Sequence, residues 1–322
     1  MMAVLAVATQ LVFPATSERK ELVIRRVNAV EAESSWDMLT DTCTIVLPKN
    51  VKDFDRKKVR DVFRHGDPVQ VNLGVNGGMR REFTGYITEV SAVIPVVLRC
   101  QDEMWRLKKL PANISLKDTT LPKLLENLLP GQEADALEVE IGTVKFSKTT
   151  VAEVLEKIRE DFGLVSYYAD GKLVVGKVYL DNTATHALHL ERGIVAHNLV
   201  YKRAEDWMIR LTAVSTLKDG SKIEAQVGDE GGEARQLTFY GITKVAELEK
   251  LAEVEYRKYK IDGYEGTITC FGNVPVQHGD KVKLTSDLYP EQNGTYYTDK
   301  VSSRMGPGDV YHKVLTIGPA VG

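Results

Sequence analysis

Cysteine is scarce and unpatterned. The 322-residue chain carries three, Cys43, Cys100 and Cys270, whose spacing suits neither a disulfide framework, nor a metal-ligand set, nor a redox pair. Cys100 and Cys270 lie in apolar strand patterns and read as small core residues. Such usage fits assembly in a reducing cytoplasm. An excess of basic charge is also missing: 42 Lys and Arg meet 45 Asp and Glu, a net charge of −3, which argues against sequence-specific nucleic-acid binding. No apolar run approaches the ~18 residues of a membrane span, so no membrane partner is expected. Met1 to Ala8 is apolar, but it lacks a positive leading segment and is soon followed by Gln10 and Pro14. No secretion signal is expected there.

The marks of catalysis are missing as well. His186 and His189 are three apart in a loop, without the three or four converging ligands of a metal site. Gly77-Gly78 and Gly231-Gly232 lack the spacing, the following helix and the lysine of a phosphate-binding loop. There is no Gly-x-Ser-x-Gly elbow. Asp102-Glu103 is an acidic pair of the kind a glycosidase uses, and also of the kind found on many surfaces. Trp36, Trp105 and Trp207 lie in amphipathic contexts and read as core, and the aromatics form no stacking platform for single strands. The chain is therefore expected to be no enzyme, with no catalytic residue, no cofactor and no metal.

What is present is a repeat. His65-Gly66-Asp67 opens the stretch Pro68-Val69-Gln70-Val71-Asn72-Leu73, and His278-Gly279-Asp280 opens Lys281-Val282-Lys283-Leu284. In both, a Gly-Asp turn feeds a strand whose apolar residues alternate with polar ones, the period of a half-buried strand. Gly85 to Val90 and Gly294 to Val301 follow and match loosely. The copies are too far apart for a solenoid, whose period is roughly 20–50 residues. They read as two related β domains, and the six turn residues as structural marks rather than actors.

In chain order, strands are expected at Ala8 to Phe13, Lys20 to Val27, Thr42 to Leu47, the Gly-Asp strand, the Gly85 strand and Val93 to Cys100. Ser34 to Asp41 reads as a loop and Val51 to Phe63 as a helix. Helices are expected at Thr120 to Leu129 and at Thr150 to Phe162. The second has a Thr150–Glu153 capping box, an apolar face of Val151, Val154, Leu155, Ile158 and Phe162, and Gly163 as its stop. A hairpin turns at Asp170-Gly171. Strands then recur at Leu199 to Tyr201, Trp207 to Val214, Lys222 to Val227 and Arg235 to Tyr240. A helix at Thr243 to Lys260 and strands from Gly266 to Ile317 follow. The expected fold class is mainly β with an α+β insert: two related small β-barrel domains plus a small α/β domain. The boundaries are 1–110 for the first barrel, 111–185 for the α/β domain and 186–322 for the second barrel with helix 243–260. In both β regions a helix precedes the Gly-Asp strand.

Several of these signatures resemble a known family. They are Gly263-Tyr264-Glu265-Gly266, Phe271-Gly272, Pro275, His278-Gly279-Asp280, Asn293-Gly294-Thr295-Tyr296 and Lys300-Val301. Upstream lie Leu199-Val200-Tyr201-Lys202-Arg203 with Glu205-Asp206, Asp219-Gly220, Gly228-Asp229 and Gly232-Glu233. Together with Trp36 through Leu47, the chain resembles the bacteriophage tail baseplate hub, or late control, protein family. That family shares a fold with the N-terminal part of type VI secretion spike proteins. The resemblance implies a homotrimeric ring of pseudo-sixfold symmetry, joining the hexameric tail tube to the trimeric spike. It also implies a central channel for the tape measure protein and the genome, and a place in the virion tail, assembled in the bacterial cytoplasm. The chain carries no appended spike or lysozyme domain, so the spike is expected to be a separate protein. The acidic stretch Asp229-Glu230-Gly231-Gly232-Glu233 would face the lumen or the spike, or be a solvated turn. The alternative is a carbohydrate-binding or cell-wall-degrading tail protein, which requires a cleft with paired carboxylates or exposed tryptophans.

Overall fold

The computed structural model describes residues 6–48, 62–91, 94–206, 208–217, 220–240, 242–306 and 310–321. Most of the helix expected at Val51 to Phe63 falls outside these residues, as does Trp207. The first half contains β1 (Val7–Phe13), β2 (Leu22–Ile24), β3 (Ala29–Ser35), β4 (Thr42–Val46), β5 (Pro68–Val75), β6 (Gly78–Val90) and β7 (Val97–Gln101). Then come α1 (Met104–Leu107), β8 (Pro111–Thr120), α2 (Leu121–Leu128), β9 (Ala134–Ala136), β10 (Glu140–Thr150), α3 (Val151–Phe162), β11 (Ser166–Ala169) and β12 (Lys172–Val175). The remainder is β13 (Thr185–His189), β14 (Ile194–His197), β15 (Val200–Lys202), β16 (Ile209–Thr216), β17 (Lys222–Gly228), β18 (Glu233–Tyr240), α4 (Val245–Tyr259), β19 (Gly263–Phe271), β20 (Lys281–Thr285), β21 (Gly294–Gly306) and β22 (Val310–Ala320). The chain is mainly β with a small helical insert, as its composition of short alternating strands requires.

The two halves are one sheet. Its order is β14-β19-β22-β21-β3-β4-β7-β6-β5-β1-β2, with β20 also paired to β21 and β13 to β20. The order contains the same path twice. In the first half β4-β7-β6-β5 are neighbours; in the second β19-β22-β21-β20 are. The register repeats too. Ile87 pairs with Cys100 and Thr298 with Ile317, and immediately afterwards both ladders slip at a bulge, between Ile87 and Glu89 and between Thr298 and Lys300. Beyond the bulge Val90 meets Leu98, and Val301 meets Leu315. Inward positions therefore correspond: Ile45, Val69, Val71, Ile87 and Leu98 in one half, and Ile268, Val282, Leu284, Thr298 and Leu315 in the other, all fully buried.

One part of the sequence reading needs correction. Residues 209–240 do not extend the second half. They form a separate three-stranded sheet, β17-β16-β18, on which α4 packs Leu248 and Ala252 against Leu211, Ala213 and Ala225. This layer is inserted before β19, the counterpart of β4. The helix at 243–260 therefore precedes the counterpart of β4, whereas Val51 to Phe63 comes after β4 in the sequence. The repetition rests on strand order and register.

The insert has its own core, built from the apolar faces of α2 and α3 with Leu173 and Val175 of β12. Thr150 caps α3: its hydroxyl accepts from the Glu153 amide, and the Glu153 carboxylate accepts from the Thr150 amide at 2.8 Å. Asp170 and Gly171 both have positive φ, +48° and +80°, the conformation that a two-residue type I′ hairpin needs.

Candidate functional site

The six turn residues singled out in the sequence fall in two turns, one per half, and the two turns are built alike. The Gly66 amide donates to the Ile87 carbonyl at 2.7 Å, and the Ile87 amide donates back to Asp67 O at 2.9 Å. The Gly279 amide donates to Thr298 O at 2.7 Å, and Thr298 N to Asp280 O at 2.8 Å. Each Asp caps its own turn: Asp67 Oδ2 accepts from Arg64 N at 3.2 Å and Asp280 Oδ2 from Gln277 N at 3.0 Å. Gly66 and Gly279 have φ of +90° and +83°, which disfavours a Cβ. Each carboxylate also meets a donor from an earlier segment of its half, Arg19 at 3.5 Å and His186 at 2.9 Å. The aromatic that precedes the turn's partner residue is covered in both halves. Tyr86 stacks on Trp105 at 5.3 Å and Tyr297 on Tyr179 at 3.9 Å.

The two histidines differ. His65 stays within its half: Nδ1 donates to Thr88 O at 2.8 Å, and Lys109 Nζ donates to Nε2 at 2.9 Å. His278 crosses to the other half. Its Nδ1 lies 2.5 Å from Ser34 Oγ, and Ser34 Oγ lies 2.5 Å from Asp41 Oδ2. Tyr167 of the insert meets the ring edge-on at 4.9 Å. Three parts of the chain thus meet at His278. The residue types are those of a hydrolytic triad, but the order is not. In a triad the imidazole stands between hydroxyl and carboxylate and takes the hydroxyl proton. Here the hydroxyl stands in the middle. Burial also pushes the His278 imidazole down to about 4, against the pull of Asp280, which makes it a weak base at neutral pH. The arrangement ties segments together; it is not set up for nucleophilic attack.

Around this tie runs the seam between the halves. β21 pairs with β22 along one edge; on the other it pairs first with β20 and then, over Lys300–Met305, with β3. Met305 and Tyr311 belong to the apolar core of the first half. Lys313 of β22 and Glu82 of β6 form an ion pair at 2.9 Å, with side chains only 2% and 7% exposed. Ser303 Oγ donates to Glu82 at 2.8 Å and Lys313 Nζ to Val276 O at 3.3 Å. Outer ion pairs, Lys300–Glu33 at 3.1 Å and Arg304–Glu31 at 2.7 Å, flank the ladder. On the insert side, Arg159 grips Asp37 and the Tyr179 hydroxyl donates to Asp299.

The sequence reading missed Ser34, Asp41, Glu82 and Lys313. For Lys313 a signal existed: it sits in the inward register of Tyr311, Leu315 and Ile317. His189, noted in the sequence, lies between Glu191 at 3.1 Å and Asp287 at 3.2 Å. Its two ring nitrogens each face a carboxylate, and one ligand atom from each of the three groups lies within 4.8 Å of the others. Asp229 in the acidic stretch is a turn cap. Its Oδ2 accepts from Ile209 N at 3.0 Å and pairs with Lys260 at 2.7 Å. Trp36 and Trp105 are both partly covered by packing.

No protein-family model matches the chain, and none of the curated proteins matches it. Solved structures do. A tail protein from Neisseria meningitidis aligns over 97% of this chain and 96% of its own, with a TM-score of 0.64 and 16% identity. A 43 kDa tail protein of a Shewanella oneidensis prophage aligns over 96% and 98%, with a TM-score of 0.63 and 13% identity. The third is an Escherichia coli component of the type VI secretion system, described as structurally similar to the phage T4 tail proteins gp27 and gp5. It aligns over 91% and 73%, with a TM-score of 0.56 and 11% identity. The fold is that of phage tail proteins. The same fold is shared with a type VI secretion component.

Proposed function

We propose that this chain is the structural hub of a phage or phage-like tail baseplate. One observation carries the reading: the strand path β4-β7-β6-β5 recurs as β19-β22-β21-β20 with the same register and the same bulge. If three chains close into a ring, two similar units per chain give six similar units. Such a ring has threefold symmetry in fact and sixfold symmetry in approximation. It can therefore match a hexameric tail tube on one face and a trimeric spike on the other, each through self-consistent contacts. The tape measure protein and the genome pass through its centre. The exposed Glu230 and Glu233 would face that channel or the spike, where like charge keeps DNA from adhering. The hub works by binding and turns over no substrate. Its place is the virion tail, assembled in the host cytoplasm.

Multi-angle light scattering and negative-stain imaging of the purified chain, alone and with its spike protein, test this. The expected result is three copies in a ring of six similar lobes. A monomer even with spike present, or a ring of six chains, would overturn it. Release of fragments from peptidoglycan would favour the wall-degrading alternative instead.

A further inference from the structure

The seam is a joint between two similar units, and the repeat holds a second set of its parts. At the seam β21 runs antiparallel to β3, with Lys300 opposite Ser35, Val301 opposite Ser34 and Ser302 opposite Glu33. The counterpart of β21 is β6, where Glu89, Val90 and Ser91 stand in the places of Lys300, Val301 and Ser302. The counterpart of β3 is β14 with β15, which flank β19 as β3 flanks β4. Matching Ile268 to Ile45 puts Val200, Tyr201 and Lys202 in the places of Glu33, Ser34 and Ser35, and His197 in that of Val30. Among the described residues, no strand pairs with the outer side of β14 or β15, nor with β6 past Tyr86 on the side away from β7. An edge of this kind is a template for a further strand.

Exposure sets these two edges apart from the seam. Val30 and Val301 are buried, whereas His197 is exposed and Val90 only half-buried. Large apolar side chains stand out beside both edges: Val200 is 57% exposed, and Ile94, at the tip of the β6–β7 hairpin, 74%. The charges are complementary as well. Glu89 pairs with Arg99 of β7 at 3.5 Å, and Lys202 pairs with Glu265 of β19. Placing Glu89 opposite Lys202 makes a row of alternating sign across four strands, Arg99, Glu89, Lys202 and Glu265. Opposite charges on facing strand positions attract.

We propose that the outer edge of β14 and β15 in one copy of this chain docks on β6 of a second copy. The strands run antiparallel, with Glu89 opposite Lys202, Val90 opposite Tyr201 and Ser91 opposite Val200. The joint between copies then repeats the joint within the chain, so every unit meets the next in the same way. This rests on the ring proposed above and adds the surfaces that close it.

A disulfide reads the register. Residues directly opposite in an antiparallel pair have Cα atoms about 4.5–5.5 Å apart, within reach of a disulfide. Full-length chains carrying Ser91→Cys and Val200→Cys are co-expressed under different tags and oxidised. The three native thiols are buried and stay out of the reaction. The pair should give a covalent dimer on a non-reducing gel, and neither chain should do so alone. Val195→Cys, roughly 15 Å away along the same edge, should not link to Ser91→Cys. Light scattering of the same sample counts the copies. Three copies without the 91–200 link, or with a stronger link through Val195→Cys, overturn this pairing and leave the hub reading standing. A chain that stays monomeric with its spike protein present, and forms no link, overturns both.

Discussion

Ile87 and Thr298 hold the same position in the two halves of the sheet. Each exchanges a pair of backbone hydrogen bonds with the Gly-Asp turn of its own half, each is fully buried, and each precedes the same bulge. They differ in one respect: Thr298 Oγ1 is buried with no hydrogen-bond partner. A buried hydroxyl that has lost water and gained nothing costs about 1–3 kcal/mol. Thr298→Val keeps the branched shape and removes the orphan. It should stabilise the chain by about 1 kcal/mol, read as a higher urea midpoint at unchanged slope. An unchanged or lower midpoint would mean that the hydroxyl is satisfied in solution.

The two turn glycines should not cost the same. Both have positive φ, so alanine at either is strained by about 1–2 kcal/mol. A Cβ on Gly66 would also lie 3.1 Å from the Trp105 ring, whereas one on Gly279 meets nothing within 4 Å. Gly66→Ala should therefore lower the melting temperature more than Gly279→Ala. Equal losses would show that Trp105 yields freely.

Removing one partner of the buried pair should be far worse than removing both. Lys313→Met strands the Glu82 carboxylate at the seam, a loss of about 3–5 kcal/mol. Adding Glu82→Leu should recover most of it, because the remaining surroundings pack without a charge. Denaturation of the two singles and the double gives the coupling directly. A double mutant no better than Lys313→Met would contradict a simple ion pair.

All three thiols should be silent in the folded chain. Cys43 and Cys100 face each other across β4 and β7, and all three cysteines are buried and free. Burial pushes the Cys100 thiol up to about 12 and Cys270 to about 11. Only thiolates attack disulfide reagents, so a colorimetric thiol titration at mildly alkaline pH should count none before denaturant and three after it.

On the acid side His278 should govern the difference between wild type and His278→Gln. Its folded value of about 4 lies below the ordinary 6.5. The unfolded chain therefore binds the extra proton over that window. The contribution of His278 is present above about 6.5 and is lost as pH falls towards about 4. The stability gap between the two proteins should narrow over that range; a gap independent of pH would mean that His278 titrates normally.

Much of this could be read locally. The Thr150–Glu153 box, Gly163 after α3, the Asp170-Gly171 turn and the two Gly-Asp strands all act over four or five residues, and each lies where its pattern put it. What failed was longer in range. β3 carries no strand reading, and its last two residues, Ser34 and Ser35, read as part of a loop, because its buried positions are Val30, Ala32 and Ser35 among Glu31 and Glu33, a weak strand signal. Gly85 and Gly294 looked equivalent, but the hydrogen bonds match Tyr86 with Tyr297. That slip is two residues, and a shift of two leaves every side chain on its own face, so alternation cannot detect it. The pairing of Lys300–Met305 with Val30–Ser35, and hence the tie at His278, joins segments with no local sign of each other.

Strand β21 is a single extended backbone that belongs to both halves at once. An extended strand cannot stretch, and to slide along its neighbour while keeping its faces it must jump two residues, about 6.8 Å. The halves therefore cannot drift by small amounts as two domains on a flexible tether would. A push received by one half leaves through the other at a fixed offset, and the chain transmits force as a stiff lever.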